Sequence, residues 1–138
     1  MKYYTLKYVS SLRDGFGGMA KLWKIEILSK YKGDKGLLEH EKSHVREWWF
    51  GLLAALLLAL ALWAFVSPAG AWVALSGPWM QSTLYRAKWY RRWSEVRAYR
   101  IQLAVGNYAS PQFAVNALMH KYRLGLSERE ARKALKLD

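Results

Sequence analysis

Residues 37–66 read LLEHEKSHVREWWFGLLAALLLALALWAFV, and this stretch decides the architecture of the chain. No proline interrupts it, so it predicts one helix from Leu37 to Val66, about 45 Å long at 1.5 Å per residue. Its last 19 residues, from Trp48 onward, carry no charge, and about 20 such residues are needed to cross a bilayer. Trp48, Trp49 and Trp63 lie near the ends of this apolar part, as interfacial aromatic residues do. We therefore predict a helix with a polar first third and a membrane-inserting remainder.

A second apolar segment follows a break at residues 67–70 (SPAG). Ala71 to Tyr85 is shorter and is interrupted at Gly77-Pro78, so it fits a broken second span, a re-entrant segment or an interfacial helix. A basic flank follows directly, made of Arg86, Lys88, Arg91 and Arg92. Because positive residues favour the cytoplasmic side of a membrane, we predict a helical hairpin that returns to the side it left. The alternative is a very hydrophobic helix buried in a compact soluble domain.

The composition supports membrane association and excludes several classes of protein. The 138 residues are 53% hydrophobic and carry a net charge of +12, which rules out intrinsic disorder and indicates an anionic neighbour such as acidic lipid or nucleic acid. There is no cysteine, which excludes disulfide scaffolds, cysteine-ligated metal sites and thiol nucleophiles. The length favours a single domain over residues 1–138. Between Trp48 and Ser127 the only acidic residue is Glu95.

Residues 1–36 have the pattern of a small β structure. Met1 to Leu12 and Lys21 to Ser29 alternate between apolar and polar positions, as strands do. Arg13 to Gly18 and Tyr31 to Gly36 are rich in glycine and predict loops. We therefore predict a short N-terminal β-hairpin. The first segment has neither a continuous apolar core nor a cleavage site, so no signal peptide is predicted.

The remaining residues predict helices, so the fold class is α+β with a helix-dominated core. Leu84 to Val105 is a basic helix within the 37–105 region, and Gln112 to Arg123 is an amphipathic helix in the C-terminal region 106–138. Ser127 and Glu130 have the spacing of a capping box, which predicts a last helix from Glu128 to Leu137.

The long helix contains His40-Glu41-Lys42-Ser43-His44, an H-E-x-x-H sequence. Residues at positions i and i+4 lie on the same helix face, so both imidazoles can reach one zinc ion, and Glu41 is placed to act as general base on a water molecule. A hydrolytic zinc site needs a third protein ligand. Glu95 is the candidate, although an ion pair with Arg91 or Arg92 would also explain it.

These residues resemble the active-site helix of gluzincin-type zinc metallopeptidases. More narrowly, they are similar to small peptidases of phages and prophages, in which H-E-x-x-H-V-x-Q-W precedes an E-x-x-A-Y segment by some 50 residues; here the second segment is Glu95 to Tyr99. The resemblance implies a zincin-like core, zinc bound by His40, His44 and Glu95, and Glu41 as the catalytic base. Tyr99 stands where larger gluzincins have an Asp, so imidazole orientation would fall to Glu47, Glu39 or a backbone carbonyl.

A peptidase also needs a residue that stabilises the developing oxyanion, and the candidates for this role are Tyr99, Tyr108 and His120. The helix-end position of His120 also fits a surface residue that interacts with the helix dipole. The strand that precedes the helix could receive an extended peptide substrate as an additional strand.

Three functions follow from these patterns. The first is a membrane-associated zinc peptidase, at a host inner membrane or in a phage particle, that acts on protein or peptide substrates. The second is a non-catalytic, membrane-active or structural virion protein, a partner of other phage structural proteins, in which the motif is a structural or vestigial metal site. The third is nucleic-acid binding through the basic helix, which we consider the least supported because no recognised nucleic-acid motif accompanies the charge.

Overall fold

The computed structural model describes residues 2–13 and 15–137 and shows a mixed α/β fold in which helices dominate. Three short strands come first, and five α-helices follow. The strands are β1 (Thr5–Val9), β2 (Gly18–Lys21) and β3 (Lys24–Leu28), and the helices are α1 (Lys35–Phe65), α2 (Gly77–Leu84), α3 (Lys88–Val105), α4 (Gln112–His120) and α5 (Glu128–Leu135). A short 3-10 turn precedes α1, and a 3-10 segment, Pro68–Ser76, joins α1 to α2. Met1, Asp14 and Asp138 lie outside the described residues.

The sheet corrects the predicted β-hairpin. The two predicted strands do pair, but β1 runs parallel to β3, and the hairpin partner of β3 is the unpredicted strand β2 in the order β1-β3-β2. The prediction was wrong because an alternating pattern specifies which residues face the core and does not specify strand direction. The first residue of β2, Gly18, also lay in the segment that was predicted to be a loop for its glycines, and Met19 and Ala20 were assigned to no element. Because β3 lies in the middle of the sheet, β2 is an edge strand, and it contacts α1.

The predicted long helix is confirmed, with bounds shifted to Lys35–Phe65. Asp34 caps its start by accepting a hydrogen bond of 2.8 Å from the backbone N–H of Leu37. The first half buries His40, Glu41, Val45 and Trp48 against the sheet and α3. By contrast, only 17% of the most apolar 18-residue window of α1 is buried. The apolar part of α1 is therefore mostly exposed in the isolated chain, unlike the core helix of a soluble protein. Helix α1 is long and apolar enough to span a membrane.

The apolar segment after α1 folds back along it, as the predicted hairpin requires. Segment 68–76 and α2 both pack against α1. Two glycines allow the close approach, because a Cβ on Gly70 would lie 2.4 Å from the Cβ of Leu62 and one on Gly77 would lie 2.7 Å from Leu52 Cδ1. The indole N–H of Trp48 donates to the carbonyl of Pro78 at 2.9 Å. The 3-10 form of the first nine residues was not predicted.

Helix α3 packs antiparallel to the polar third of α1. His44 faces Glu95, His40 faces Tyr99, and Gly36 approaches the carbonyl of Gln102, so residue numbers rise along one helix as they fall along the other. The helix begins at Lys88, whereas the sequence predicted a start at Leu84, which belongs to α2.

Helices α4 and α5 close the far side of α3 with a core of Tyr99, Val115, Leu118, Leu124 and Leu135. The capping box of Ser127 and Glu130 is confirmed at the start of α5. The tertiary structure thereby fixes α3, and with it Glu95, against the histidine-bearing face of α1.

Candidate metal centre

Three side chains from two helices converge between α1 and α3. His40 and His44 are one turn apart on α1, and their Nε2 atoms are 3.3 Å apart. From α3, Glu95 places Oε2 3.7 Å from His40 Nε2 and Oε1 3.6 Å from His44 Nε2. The three residues form a group that could hold a metal ion. The structure therefore brings together the three residues that the sequence predicted as ligands.

The geometry of this group fits a tetrahedral zinc ion. Zn–N and Zn–O bonds of about 2.0–2.2 Å at tetrahedral angles separate neighbouring ligand atoms by about 3.3–3.6 Å, close to the separations observed here. Glu95 Oε2 is buried and has no hydrogen-bond partner among the described residues. Two imidazole nitrogens that face each other, beside an unpaired carboxylate oxygen, are the donor set that a divalent metal satisfies. The unpaired donor atoms of this group are thus arranged so that they could hold a metal ion.

His44 is oriented by a relay of two further residues. Ser94 Oγ lies 3.1 Å from His44 Nδ1 and donates to Glu47 Oε2 at 2.6 Å. Because the Ser94 proton goes to Glu47, its oxygen accepts from Nδ1–H of His44, which leaves the Nε2 lone pair free for a metal. Arg97 Nη1 lies 3.5 Å from Glu47 Oε1 and balances its charge. Of the orienting groups that the sequence left open, the structure places Glu47 in that role, through Ser94.

His40 is oriented by a second network, from the opposite side. His40 Nδ1 and Gln102 Oε1 are buried and form no hydrogen bond of standard geometry among the described residues, although the Gln102 side chain acts on His40 as an acceptor that raises its pKa. The Gln102 amide donates to Tyr108 Oη at 3.1 Å, and that hydroxyl donates to Asp34 Oδ1 at 2.6 Å. The amide orientation leaves Gln102 Oε1 to accept from His40 Nδ1–H. Both histidines thus present the tautomer whose Nε2 can bind metal.

The pKa values agree with these assignments. Burial lowers the pKa of His40 well below its usual value and neighbouring His44 adds to this, whereas the hydrogen bond to Gln102 opposes it. Burial would also lower the pKa of His44, but the charges of Glu95 and Glu41 and the interaction with Glu47 raise it to about 9. Burial raises the pKa of Glu95. Protonation of His44 is therefore favoured by the neighbouring carboxylates, and a cation bound at its Nε2 would compete with that proton.

Glu41 is held beside the ligands but belongs to neither network. Its side chain is buried on α1, and burial raises its pKa to about 7. The backbone N–H of Ala20 opposes this as a hydrogen-bond donor to the carboxylate. Gly18 leaves room for Glu41, because a Cβ there would lie 2.7 Å from Glu41 Oε1. A carboxylate with a pKa near neutrality can take and return a proton at pH 7.

An open cleft runs past the site along strand β2. Its larger half has a volume of about 590 Å³ and its smaller half about 260 Å³, and the two halves share Phe16, Gly18, His40, Glu41 and Tyr122.

The free edge of β2 faces this cleft. The N–H of Leu28 bonds the carbonyl of Gly17, so in the antiparallel alternation the backbone groups of Gly18 and Ala20 point away from β3. An extended chain in the cleft can therefore pair with the backbone groups of Gly18 and with the carbonyl of Ala20, whereas the N–H of Ala20 is engaged by Glu41.

The three predicted oxyanion candidates lie in different surroundings. The Tyr99 ring packs against His40 with centroids 4.5 Å apart, and its hydroxyl lies 3.1 Å from that of Tyr122. The hydroxyl of Tyr108 is engaged with Asp34 and Gln102, away from the ligand atoms. His120 is exposed at the end of α4 and does not line the cleft.

Two tyrosines at the site were missed by sequence reasoning. Tyr85 donates a hydrogen bond to Glu95 Oε1. Tyr122 lines both halves of the cleft, and burial followed by the charge of Glu95 raises its pKa well above the usual value. Neither residue stands in a recognisable motif, so no local signal could have identified them. Ser94 directly precedes Glu95, and that adjacency was the one available clue to the relay.

The basic flank lies at the start of α3. Arg86, Lys88 and Arg92 are exposed. Arg91 is half-buried and donates to the carbonyl of Tyr85 at 3.4 Å, so it also supports the site.

Comparisons with known proteins add no relative: no protein-family model matches the chain, and neither a curated protein nor a solved structure is significantly similar to it.

Proposed function

We propose that this protein is a zinc-dependent hydrolase of peptide bonds that works at a membrane surface. The observation that carries the proposal is the convergence of His40, His44 and Glu95, with Glu41 beside them, on an open cleft along a free strand edge. Two histidines and one carboxylate leave a fourth tetrahedral position for water or substrate. The proposal agrees with the gluzincin-like pattern of the sequence.

Each residue has a definite task in this reaction. His40, His44 and Glu95 would hold the zinc ion, which would supply Lewis acidity and lower the pKa of water at the site. Glu41 accepts the proton of the attacking water and returns it to the leaving amine, which its pKa of about 7 allows. Tyr122, with Tyr99 behind it, is the hydroxyl donor best placed in the cleft to stabilise the developing oxyanion. The outward backbone groups of Gly18 and the carbonyl of Ala20 hold the substrate backbone in extended form, while the N–H of Ala20 stays with Glu41.

The membrane assignment rests on the position of the site relative to the apolar hairpin. His44 precedes Trp48 by four residues, which is about 6 Å along a helix. The hairpin exposes large side chains, among them Phe65 at 88%, Trp72 at 72% and Trp79 at 65%. The exposed flank Arg86, Lys88 and Arg92 lies near the point where α1 becomes apolar, at the level of lipid headgroups. A bilayer covers these surfaces and leaves the cleft at its face.

The test combines metal content with turnover on full-length protein in detergent. We expect about one zinc per chain, with loss of zinc in His44→Ala and Glu95→Ala. Glu41→Gln should retain zinc and lose hydrolysis of a mixed peptide library. The matched control is Glu39→Gln on the same helix, whose partners are Lys42 and Arg46, and it should retain both properties. Absence of zinc in wild type after reconstitution, or equal hydrolysis by Glu41→Gln, would overturn the proposal.

A second candidate is a non-catalytic, membrane-active structural protein, as in a virus particle. The exposed hairpin favours it, because the tip around residues 65–70 carries no charge that would oppose insertion. In that case zinc binding persists, Glu41→Gln changes nothing, and the protein releases the contents of vesicles without hydrolysing peptides.

A further inference from the structure

The larger half of the cleft carries cations without carboxylate partners. Arg13, Lys30 and Lys121 line it, and none of them forms an ion pair within residues 2–13 and 15–137. Its two acidic residues in that part of the chain are already engaged: Asp34 accepts from Tyr108 and caps α1, and Glu41 adjoins the metal ligands. Among the described residues, this half therefore has three cations without an ion-pair partner against two carboxylates, next to the reacting centre.

Lys121 is a cation of this half whose charge acts on His40, where it adds to the lowering of the pKa. Its Nζ donates to the carbonyl of Gly15 and lies 5.5 Å from the ring centroid of Phe16, while Arg13 Cζ lies 5.9 Å from the same ring. Phe16 lines both halves of the cleft, so Arg13 and Lys121 lie beside the passage that joins the two halves. Partial burial lowers the pKa of Lys121, because a cation without an anionic neighbour is poorly solvated there. An anion bound beside it would relieve that cost.

The smaller half has the opposite character. Met19, Ala20 and Phe16 line it together with Gln81, Ser82 and Tyr85 from α2 and its end, and its only ionisable carboxylates and imidazoles are those of the metal centre and Glu41. Because α2 belongs to the apolar hairpin, this half opens beside the proposed membrane face. The cleft is thus rich in cations at one end, and at the other end its lining outside the metal centre and Glu41 is neutral.

The direction of β2 orients a substrate along this gradient. Residues 15–18 line the larger half, and residues 18–20 line the smaller half. A peptide that pairs antiparallel with the free edge of β2 places its N-terminal part beside Ala20 and its C-terminal part beside Gly15. Antiparallel pairs are also the commoner kind in proteins.

Resting on the proposed function, we infer that the cleft selects peptides that carry a carboxylate on the C-terminal side of the scissile bond and apolar residues on the N-terminal side. The carboxylate is that of an Asp or Glu side chain or of the peptide terminus. Juxtamembrane segments in which an apolar stretch is followed by acidic residues have this chemistry.

The test measures binding as well as turnover. Zinc-loaded Glu41→Gln protein in detergent is titrated with three fluorescent peptides that share an apolar N-terminal half and carry Glu, Gln or Lys at the first to third positions of the C-terminal half. Each peptide is made as the free acid and as the amide, which separates a side-chain carboxylate from a terminal one. We expect the Glu peptide to bind about fivefold more tightly than the Gln peptide for each cation engaged, and the Lys peptide to bind most weakly.

Charge reversal at Lys121 separates specificity from a structural role. Lys121→Glu should invert the order so that the Lys peptide binds best, whereas loss of the contact with Gly15 alone would weaken all peptides equally. The control is Lys7→Glu, which makes the same change of charge on an exposed residue of β1 outside the cleft. It should leave the order of affinities for the three peptides unchanged.

The outcomes distinguish this inference from the proposed function. Equal binding of the Glu, Gln and Lys peptides, a preference for acid on the N-terminal side, or an unchanged order in Lys121→Glu would overturn the inference, even if wild type hydrolyses peptides. Charge-dependent binding that Lys121→Glu inverts supports it. If wild type then cleaves none of the peptides, the hydrolase proposal fails and the carboxylate site remains.

Discussion

Replacing Gln102 by Leu tests whether the network behind His40 prepares it for metal. Gln102 acts on His40 as a side-chain acceptor that raises its pKa, and Gln102 Oε1 and His40 Nδ1 are both buried without another partner among the described residues. Without that acceptor the imidazole either keeps an unsatisfied Nδ1–H or adopts the other tautomer, whose protonated Nε2 cannot bind metal. Because burial already keeps the pKa of His40 low, the imidazole is neutral in both proteins, and proton competition at this residue does not obscure the result.

The magnitude follows from the cost of one buried unsatisfied donor. That cost is about 1–3 kcal/mol, which corresponds to about a 5- to 150-fold change in a dissociation constant. Loss of an outer partner of a metal-binding histidine weakens metal affinity by about 10- to 100-fold. We therefore expect the zinc Kd of Gln102→Leu to rise by about 10- to 100-fold. Tyr108→Phe removes the hydroxyl that fixes the orientation of the Gln102 amide. It should also raise the zinc Kd, by less than Gln102→Leu does.

The assay is competition for zinc against a chromophoric chelator at constant pH, on detergent-solubilised protein. Glu39→Gln lies on the same helix and makes contacts only with Lys42 and Arg46 among the described ion pairs, so its Kd should equal that of wild type. Circular dichroism of the metal-free variants confirms that the helices are intact. A Gln102→Leu protein that is folded and binds zinc within twofold of wild type would refute the reasoning.

Three further predictions concern the base, the last helix and the hairpin. Gly18→Ala should displace the Glu41 carboxylate, since the new Cβ would lie 2.7 Å from Oε1; peptide hydrolysis should fall while zinc content by elemental analysis stays at the wild-type level. Glu130→Ala should lower the Tm at pH 7. Hydrogen bonds from Ser127 lower the pKa of Glu130 in the folded protein below its unfolded value of 4.5. The ionised Glu130 therefore stabilises the fold fully above pH 4.5, and this stabilisation is lost as the pH falls through the pKa of the folded state. A Tm difference between the variant and wild type that persists unchanged at about pH 3 contradicts this. Because the chain has no cysteine, Ser67→Cys and Ser10→Cys report membrane insertion directly. In sealed proteoliposomes an impermeant maleimide added on the cleft side should label Ser10→Cys and spare Ser67→Cys, and equal labelling would exclude insertion of the tip.

The parts of the structure that the sequence predicted depend on short-range geometry. Helix periodicity places His40 and His44 on one face whatever surrounds them, and the capping box of Ser127 and Glu130 spans three residues. The apolar hairpin followed from an uncharged run and a break at 67–70, which composition alone reveals. Glu95 was identified by elimination, because acidic residues are absent on either side of it for long stretches of the chain.

The strand pairing and the supporting networks could not be predicted in this way. The parallel pairing of β1 with β3 and the edge position of β2 depend on how the sheet docks on α1, and alternation encodes neither. Gln102 and Tyr108 meet Asp34 across more than 60 residues of sequence, and nothing in their own neighbourhoods marks them.

The local pattern of residues was enough to predict two imidazoles on one helix face, a carboxylate beside them and a long apolar helix that follows, because each feature is fixed within a few helical turns. The approach of Glu95 to 3.6–3.7 Å of both imidazoles, the contacts of Ser94 and Gln102 with them, and the gathering of cations at one end of the cleft along β2 arise from tertiary packing. These features need the antiparallel packing of α3 on α1 and the docking of an edge strand, and such long-range contacts are set by the fit of whole surfaces, which no local pattern records.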